Sequence, residues 1–426
     1  PAGPGVPPNP PATQKKTAMI RQREIFPALQ AHLSQKAYSI ITGARQAGKT
    51  SLLRLLYHHL TQAGESVHYV SLEDPQVRAA IDAHPDKMLH FLAQQPVPIL
   101  EQSQEKPIFL LIDEVQYAQD PTNLLKYLYD RYEQNLKVVA TGSSAFYIDR
   151  KFRDSLAGRK RIFPLYPLAF REFLSFRDRP DLVAQLDLLR GRQGYISPLQ
   201  EHLRASLYEY LTYGGYPAVV MEPDGEGKRF LLEELKNAYI KRDLLESGVD
   251  KEQKFYLLIQ LLADQVGNLM NKQELANTTS LDAKTVDQYL YILQKCYHVQ
   301  LVRPFFRNLR KELTKMPKIY FNDLGLRNVL LNRFSPIADR PDKGQLLENY
   351  FFLQFRDNYP ADQIRFWRTS QQQEVDFVIE EQFGRGKAFE IKWNPASFSP
   401  AKYRPFEESY PDFSLECLGA QDFYRY

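Results

Sequence analysis

The stretch Ile40-Ile41-Thr42-Gly43-Ala44-Arg45-Gln46-Ala47-Gly48-Lys49-Thr50-Ser51-Leu52-Leu53 decides the fold of the amino-terminal part of this 426-residue chain. Residues 43–50 match the pattern G-x-x-x-x-G-K-[ST], in which a glycine-rich loop wraps a pyrophosphate group. The mostly apolar residues 38–41 predict a buried strand, and the leucines after the loop have helical spacing. The sequence therefore predicts a strand, a phosphate-binding loop and a helix, in the order that this loop requires.

The loop predicts ATP and Mg²⁺ as ligands. Its backbone amides and the positive end of the following helix dipole would face the phosphates. Lys49 can reach the β- and γ-phosphates, and the Thr50 hydroxyl can ligate magnesium. The expected nucleotide-binding residues are Gly43, Ala44, Arg45, Gln46, Ala47, Gly48, Lys49, Thr50 and Ser51.

A second motif is Ile108-Phe109-Leu110-Leu111-Ile112-Asp113-Glu114. Five consecutive apolar residues are typical of a strand that is buried on both faces of a parallel sheet. The two carboxylates follow at its carboxyl end, where α/β proteins bind their ligands. We expect Asp113 to hold magnesium through water and Glu114 to polarise the attacking water.

Further strands are predicted at residues 67–72 and 137–141, with helices between them. Alternating strands and helices favour a parallel sheet, so the fold class is α/β. Ser143, just after the second of these strands, is a candidate for contact with the γ-phosphate. The alternative is a small residue that serves only the turn.

The composition is that of a globular protein, 43% hydrophobic and 25% charged, and a net charge of +4 implies no particular partner. The two cysteines have no metal-site or disulfide spacing, which favours a reducing compartment. There is no secretory signal, and no apolar run approaches the roughly 18 residues of a membrane span, so we expect a cytoplasmic protein without membrane contact. Residues 1–18 are proline-rich and predicted to be disordered, and Met19 is a candidate native start.

These motifs resemble the prokaryotic predicted AAA-type ATPases that carry a carboxyl-terminal domain of unknown function. Further matching segments are Ser155-Leu156-Ala157-Gly158-Arg159, residues 164–174, Tyr213-Gly214-Gly215-Tyr216-Pro217 and residues 239–244. The resemblance implies a P-loop ATPase core, a helical lid and a carboxyl half that acts on DNA. The expected domains are 19–164 (ATPase core), 165–250 (helical lid and connector), 251–335 (winged helix-turn-helix) and 340–426 (restriction-endonuclease-like).

The resemblance also singles out Arg159 as a candidate arginine finger. Such a residue stabilises transition-state charge, and Arg159 could reach ATP in cis or from a neighbouring subunit. The alternative is a surface arginine in a basic run. Action in trans would imply a homo-oligomer, plausibly a hexameric ring.

Residues 251–331 have the pattern of a winged helix-turn-helix. Asn271 and Asp282 are expected to cap helices, and Val286, Leu290 and Leu293 form one apolar face of the second. Residues 299–305 and 318–321 would pair as the wing. We expect DNA contact from the outward helix face and the basic wing tip, and the alternative is a protein-docking winged helix. The candidate DNA-binding residues are Lys284, Gln288, Arg307, Arg310, Lys311 and Lys315.

The last segment carries a second set of acids. Glu348 lies in a predicted helix, Asp376 in a predicted strand, and Glu390-Ile391-Lys392 in the next strand. This set resembles a restriction-endonuclease-like core, in which two acids hold magnesium and lysine activates water. The alternatives are a degenerate nuclease fold that only binds, and a chance Glu-x-Lys.

Two function classes remain open. In the first, ATP hydrolysis drives an oligomer that translocates, remodels or processes branched DNA. In the second, ATP controls a signalling or defence switch whose carboxyl half binds a protein. A motor should turn over quickly when DNA is present, whereas a switch should turn over slowly and change its assembly state with ATP.

Overall fold

A computed structural model describes residues 21–91, 107–142, 156, 158–240, 251–306 and 315–426. It forms two compact units that divide between Tyr166 and Pro167. The predicted disordered segment 1–18 lies outside the described residues, as do four candidate site residues, Ser143, Arg307, Arg310 and Lys311.

The first unit contains a parallel five-stranded sheet with the order β2-β3-β4-β1-β5. Its strands are β1 (Tyr38–Gly43), β2 (Val67–Ser71), β3 (Ile108–Asp113), β4 (Leu136–Gly142) and β5 (Lys160–Leu165). Strands β1, β3 and β4 are buried along their whole length, as the apolar runs require of a sheet covered on both faces. The predicted α/β class and parallel P-loop sheet are confirmed.

One α-helix precedes β1, and the other α-helices of this unit lie between successive parallel strands. They are α1 (Phe26–Ala31), α2 (Lys49–Gln62), α3 (Pro75–Ala83) and α4 (Pro121–Tyr132), with 3-10 helices at His32–Ser34, Pro85–Phe91 and Val115–Tyr117. The first helix begins at Phe26. Pro27 explains this start, because proline has no backbone N–H and is accepted in the first helical turn only.

Strand β5 was not predicted. It lies at the edge of the sheet, half of its side chains are exposed, and it contains Pro164. Proline and charges are typical of edge strands, where they prevent pairing with other chains. Such a strand has no apolar run or alternation that would reveal it in the sequence.

The second unit begins with helices, as the predicted lid requires. Its helices are α5 (Phe170–Phe176), α6 (Pro180–Gly191), α7 (Gln200–Tyr213), α8 (Pro217–Met221), α9 (Gly225–Glu234), α10 (Glu252–Asp264), α11 (Lys272–Thr279), α12 (Ala283–Lys295), α13 (Leu324–Leu331), α14 (Lys343–Asn358) and α15 (Arg404–Ser409). A π-helix follows α9 at Leu235–Ile240, and 3-10 helices lie at Ile337–Asp339, Pro395–Ser397, Pro400–Tyr403 and Ala420–Asp422. Among the helices in the described parts of the chain, none has the length and apolar character needed to cross a bilayer.

The strands of this unit form one six-stranded sheet with the order β11-β10-β9-β8-β6-β7. They are β6 (Val299–Pro304), β7 (Lys318–Phe321), β8 (Ile364–Arg368), β9 (Glu374–Gln382), β10 (Arg385–Ile391) and β11 (Phe413–Leu418). Strands β6 and β7 pair antiparallel, as predicted for a wing, but β6 also pairs in parallel with β8. The sheet therefore crosses the boundary predicted between the winged helix and the nuclease-like domain.

Candidate functional site

The phosphate loop connects β1 to α2 as the sequence predicts. Gly48 precedes the helix with a left-handed φ of 98°, and Gln46 has a φ of 56°. The side chain of Lys49 is buried, and its Nζ donates hydrogen bonds to the carbonyl oxygens of Gly43 at 3.0 Å and Ala44 at 2.9 Å. The loop thus curves around the ammonium group, at the amino end of a 14-residue helix.

Gly43 is required by the neighbouring strand as well as by the loop. It pairs with Leu165 of β5, and a Cβ atom at Gly43 would lie 2.0 Å from the carbonyl oxygen of Leu165. Any side chain here would push β5 away from β1. The first glycine of the motif therefore fixes the sheet edge next to the loop.

Asp113 is buried at the carboxyl end of β3, and two hydroxyl groups hold its carboxylate. Tyr69 of β2 donates to Oδ2 at 2.8 Å, and Thr141 of β4 donates to Oδ1 at 2.5 Å. Burial, followed by the charge of Asp113, raises the pKa of Tyr69, so that tyrosine remains a donor. The sequence did not identify Tyr69 or Thr141, because each contact joins strands far apart in the chain.

Glu114 has a left-handed φ of 56°. This conformation costs a non-glycine residue about 1 kcal/mol or more and needs support from its surroundings. The Glu114 amide donates to the Thr141 hydroxyl at 2.9 Å, and its carboxylate accepts a hydrogen bond from the Gln116 side chain. The Glu114 side chain is half-buried.

Arg23 is a further residue that the sequence reasoning missed. Its side chain is buried, and Nη1 donates to the carbonyl oxygen of Ala47 at 2.6 Å. Nη2 donates to the carbonyl oxygen of Tyr166 at 2.8 Å. One guanidinium therefore ties the phosphate loop to the last residue of the first unit.

Arg159 lies far from the phosphate loop of its own chain. Tyr38 pairs with Lys160 in the parallel β1–β5 ladder, so Arg159 is at the amino edge of the sheet, whereas Gly43 ends β1 at the carboxyl edge. At about 3.3 Å per residue the length of β1 separates them by about 17 Å. The Arg159 side chain pairs with Asp130 at 2.9 Å. Contact with ATP in cis is not supported, and contact in trans stays a prediction.

The residues at the carboxyl edge fit an ATP–magnesium complex. Strands β1, β3 and β4 are adjacent and parallel, so the phosphate loop, Asp113 and Glu114 share one edge of the sheet. The ammonium of Lys49 and the amides at the start of α2 suit phosphate oxygens. The Thr50 hydroxyl and the Asp113 carboxylate are the oxygen donors that Mg²⁺ accepts beside water and phosphate.

The winged helix has the predicted caps and faces. The Asn271 side chain accepts from two amides of α11, and the Asp282 side chain accepts from the Thr285 amide at 2.9 Å. Val286, Leu290 and Leu293 of α12 are buried. The candidate DNA-binding residues within the described chain, Lys284, Gln288 and Lys315, are exposed.

The nuclease-like residues come together in the second unit. Phe377 opposes Phe389 in the antiparallel β9–β10 ladder, so Asp376 and Glu390 face each other one position further along. The Ile391 amide donates to Asp376 Oδ2 at 2.9 Å, and the Lys392 ammonium donates to Glu390. Burial raises the pKa of Glu348 to about 7, and burial together with the charge of Asp376 raises that of Glu390 to about 7.

A lysine from outside the predicted nuclease-like domain enters this group. The Nζ atom of Lys318 in β7 lies 3.1 Å from Glu348 Oε1 and 3.2 Å from Asp376 Oδ1. Within the described residues, no group of three or more histidine, cysteine, aspartate or glutamate side chains is arranged to hold a metal ion. The acids predicted to bind magnesium therefore do not fit the metal in this conformation.

Three known families match the chain. The family described as "AAA domain" matches residues 35–174. Two families described as domains of unknown function match residues 204–336 (DUF8612) and 343–420 (DUF4143). The DUF4143 match covers α14 and the strands β8 to β11.

Similar chains occur in bacteria. An "Uncharacterized protein" of Haemophilus influenzae is 27% identical over 376 residues, covering 85% of this chain and 84% of the relative. "Uncharacterized protein Rv2008c" of Mycobacterium tuberculosis is 26% identical over 416 residues, covering 96% of this chain and 81% of the relative. Both alignments span most of the two units described above.

Solved structures give more distant likenesses. The Walker-type ATPase PABY2304 of Pyrococcus abyssi superposes with a TM-score of 0.47 and 16% identity, over 74% of this chain and 96% of that one. The Thermotoga maritima RuvB Holliday junction branch migration motor gives 0.30 and 16%, over 68% and 91%. At these scores the likeness says nothing about function. By these matches the chain combines an AAA domain at residues 35–174 with two domains of unknown function at residues 204–336 and 343–420.

Proposed function

We propose that this chain hydrolyses ATP at the carboxyl edge of its parallel sheet. The observation that carries the proposal is the position of Asp113, held by Tyr69 and Thr141 at the same edge as the phosphate loop. A carboxylate fixed by two donors keeps its orientation, which a magnesium–phosphate complex needs. If Asp113 and Glu114 only ended a solvent-exposed strand, the Asp113 carboxylate would not need two hydroxyl groups to hold it.

The residues of this edge divide the work of hydrolysis. Lys49 and the amides of the loop bind the phosphates, and Thr50 with Asp113 would hold magnesium. When bound, the metal neutralises charge that develops on the transferred phosphoryl group. Glu114, held by Gln116, accepts a proton from the attacking water.

Two variants separate nucleotide binding from hydrolysis. Lys49→Ala should lose nucleotide binding, because the ammonium group that meets the phosphates is removed. Glu114→Gln should bind nucleotide and hydrolyse it about 10²–10⁴-fold more slowly, since the amide cannot accept the proton. Binding is measured with a fluorescent ATP analogue and turnover by phosphate release. Wild-type turnover by Glu114→Gln would refute the assignment.

We propose further that ATP hydrolysis acts on DNA through the second unit. The support is a winged helix with an exposed basic and amide surface at Lys284, Gln288 and Lys315. Phosphate contacts by such residues release counterions and make affinity dependent on salt. ATPase rates should therefore rise with single-stranded, duplex or branched DNA, and the preferred form identifies the substrate.

The wing tip provides a second test of DNA contact. Replacing Arg307, Arg310 and Lys311 by glutamate should weaken binding to all sequences and flatten its dependence on salt. Replacing exposed Lys251, just before α10, by glutamate is the control for the change in net charge. Unchanged affinity and salt slope would exclude a DNA-contacting wing.

One observation favours the alternative of a nucleotide-controlled switch with a protein partner. Lys272 and Asp287 form an ion pair at 2.8 Å beside the outward face of α12, which makes this face less basic than a DNA-binding helix usually is. In addition, β6 pairs with β8, so the wing is part of a larger sheet. Slow turnover that DNA does not change, with an assembly state that depends on ATP, would establish the switch.

A further inference from the structure

Lys318 is the centre of the carboxylate cluster in the second unit. Its ammonium group lies 3.1 Å from Glu348 of α14, 2.7 Å from Glu374 of β9 and 3.2 Å from Asp376 of β9. Only 1% of the Lys318 side chain is exposed. These three carboxylates therefore share one cation that is supplied by the wing strand β7.

The surrounding carboxylates favour the charged form of Lys318. Burial by itself would lower the pKa of this lysine, but the carboxylates of Glu348, Asp376 and Glu374 and the nearby Tyr320 raise it well above its usual range. Tyr320, two residues along β7, also donates a hydrogen bond to Glu348 at 2.6 Å. Strand β7 thus brings both a cation and a hydroxyl donor to the acids.

A divalent cation and this ammonium group cannot share the space between the acids. Magnesium and calcium bind carboxylate oxygens at about 2.0–2.6 Å, so an ion bound to Glu348 and Asp376 would nearly touch Nζ. Two positive charges at that separation repel strongly in a buried site. Oε2 of Glu390, across from Asp376, is buried and makes no hydrogen bond of ordinary geometry with the described residues. This carboxylate, which the Tyr403 hydroxyl also contacts, is an oxygen donor beside the occupied position.

We propose that Lys318 is the resident cation of this cluster and keeps it free of divalent metal, so that Asp376 and Glu390 form a metal site only when Lys318 is withdrawn. Neither ATP hydrolysis nor DNA binding is needed for this role. It does link the winged helix to the nuclease-like strands, because a shift of β7 against β9 would withdraw Lys318.

Neighbouring contacts show that such a shift would involve the winged helix as a whole. Lys318 pairs with Val302 of β6 and forms an isolated bridge with Leu269, in the turn between α10 and α11. In the same turn, Gly267 has a φ of 77°, and a Cβ atom there would lie 2.8 Å from Oε2 of Glu348. The turn therefore closes over the cluster from the side of the winged helix.

Manganese binding to the full chain tests the proposal. Lys318→Met keeps the length and apolar stem of the side chain but removes its charge. Lys387→Met, at a half-exposed lysine of β10 that pairs with Glu381 at 3.2 Å, is the matched control. Binding is measured by calorimetry with manganese chloride, and the thermal midpoint is measured with and without the metal.

We expect the wild type and Lys387→Met to show neither a binding heat nor a shift of the midpoint. Lys318→Met should bind about one manganese ion per chain at least tenfold more tightly than the wild type. Its midpoint should rise with metal, because the ion replaces the missing cation among the carboxylates. Both effects should disappear when Asp376→Asn is added.

Two results would overturn the proposal. One is a wild type that binds manganese through Asp376 as tightly as Lys318→Met does. The other is a folded Lys318→Met that binds no metal. If the buried acids unfold this variant, the double variant Lys318→Met/Glu348→Gln removes a positive and a negative charge together, and the same expectations and refutations apply to it.

Discussion

The hydroxyl of Thr141 donates a hydrogen bond to Oδ1 of Asp113 at 2.5 Å, and Oγ1 of Thr141 accepts a hydrogen bond from the Glu114 amide at 2.9 Å. One side chain of β4 therefore orients both acids at the end of β3. We expect Thr141→Val, which is close in shape but has no hydroxyl, to lower ATP turnover about 10–100-fold. Nucleotide affinity should change little, because the phosphate loop is untouched.

The control for this variant is Thr61→Val, an exposed position in α2 where the hydroxyl bonds to its own helix at Tyr57. Turnover is measured by phosphate release. Nucleotide affinity is measured in variants that also carry Glu114→Gln, so that ATP is bound without being hydrolysed. If Thr141→Val and Thr61→Val turn over ATP equally fast, Thr141 does not orient the acids.

The contacts of Arg23 predict that its replacement weakens nucleotide binding. Its guanidinium donates to the carbonyl oxygens of Ala47 and Tyr166, so Arg23→Met leaves two buried acceptors without this partner. Such a loss costs about 1–3 kcal/mol, which corresponds to about a 5–150-fold change in affinity where it falls on loop geometry. We expect weaker nucleotide binding and a lower thermal midpoint. Lys36→Met, at an exposed position, is the control, and an unchanged affinity would show that the loop does not depend on Arg23.

A role of Arg159 as an arginine finger in trans predicts that the chain forms a homo-oligomer. If Arg159 acts on the nucleotide of a neighbour, Arg159→Ala and Lys49→Ala should each abolish turnover, and mixing them should restore part of it at interfaces where both residues are intact. Arg131→Ala, at an exposed arginine of α4 that bonds to Tyr127, should remain active alone. Size measurements in the presence of ATP should show an oligomer. A monomer that hydrolyses ATP normally would rule out this role.

His32 predicts a dependence of stability on pH. Burial, with the charges of Lys137 and Arg161, lowers the pKa of His32 from 6.5 to about 4 in the folded protein. The unfolded chain therefore binds this proton first, so the contribution of His32 is present above pH 6.5 and is lost as the pH falls towards 4. Between about pH 7.5 and about pH 5 the wild type should lose about 1–2 kcal/mol more than His32→Gln does. Urea unfolding at both pH values measures the difference.

The control is His84→Gln, at an exposed histidine after α3. It should follow the wild type at both pH values. Equal losses in the wild type and His32→Gln would mean that the buried ring does not govern the pH dependence of the first unit.

Local pattern determined the parts of this protein that depend on backbone geometry and continuous apolar runs. The phosphate loop requires glycine at fixed positions, and β1, β3 and β4 are buried on both faces. A few consecutive residues are therefore enough to predict each of these elements. The same holds for the caps at Asn271 and Asp282, whose side chains bond to amides two or three residues away. These elements could be predicted because their stabilising contacts are short-range.

Only the tertiary structure decided which side chains support the site and which cation fills the carboxylate cluster. Tyr69 and Thr141 reach Asp113 because β2 and β4 flank β3, an order that no local pattern carries. Lys318 reads in the sequence as one more wing lysine. It becomes the partner of Glu348 and Asp376 because β7, β6, β8 and β9 share one sheet, and a buried lysine must lie beside acids wherever the fold brings them together.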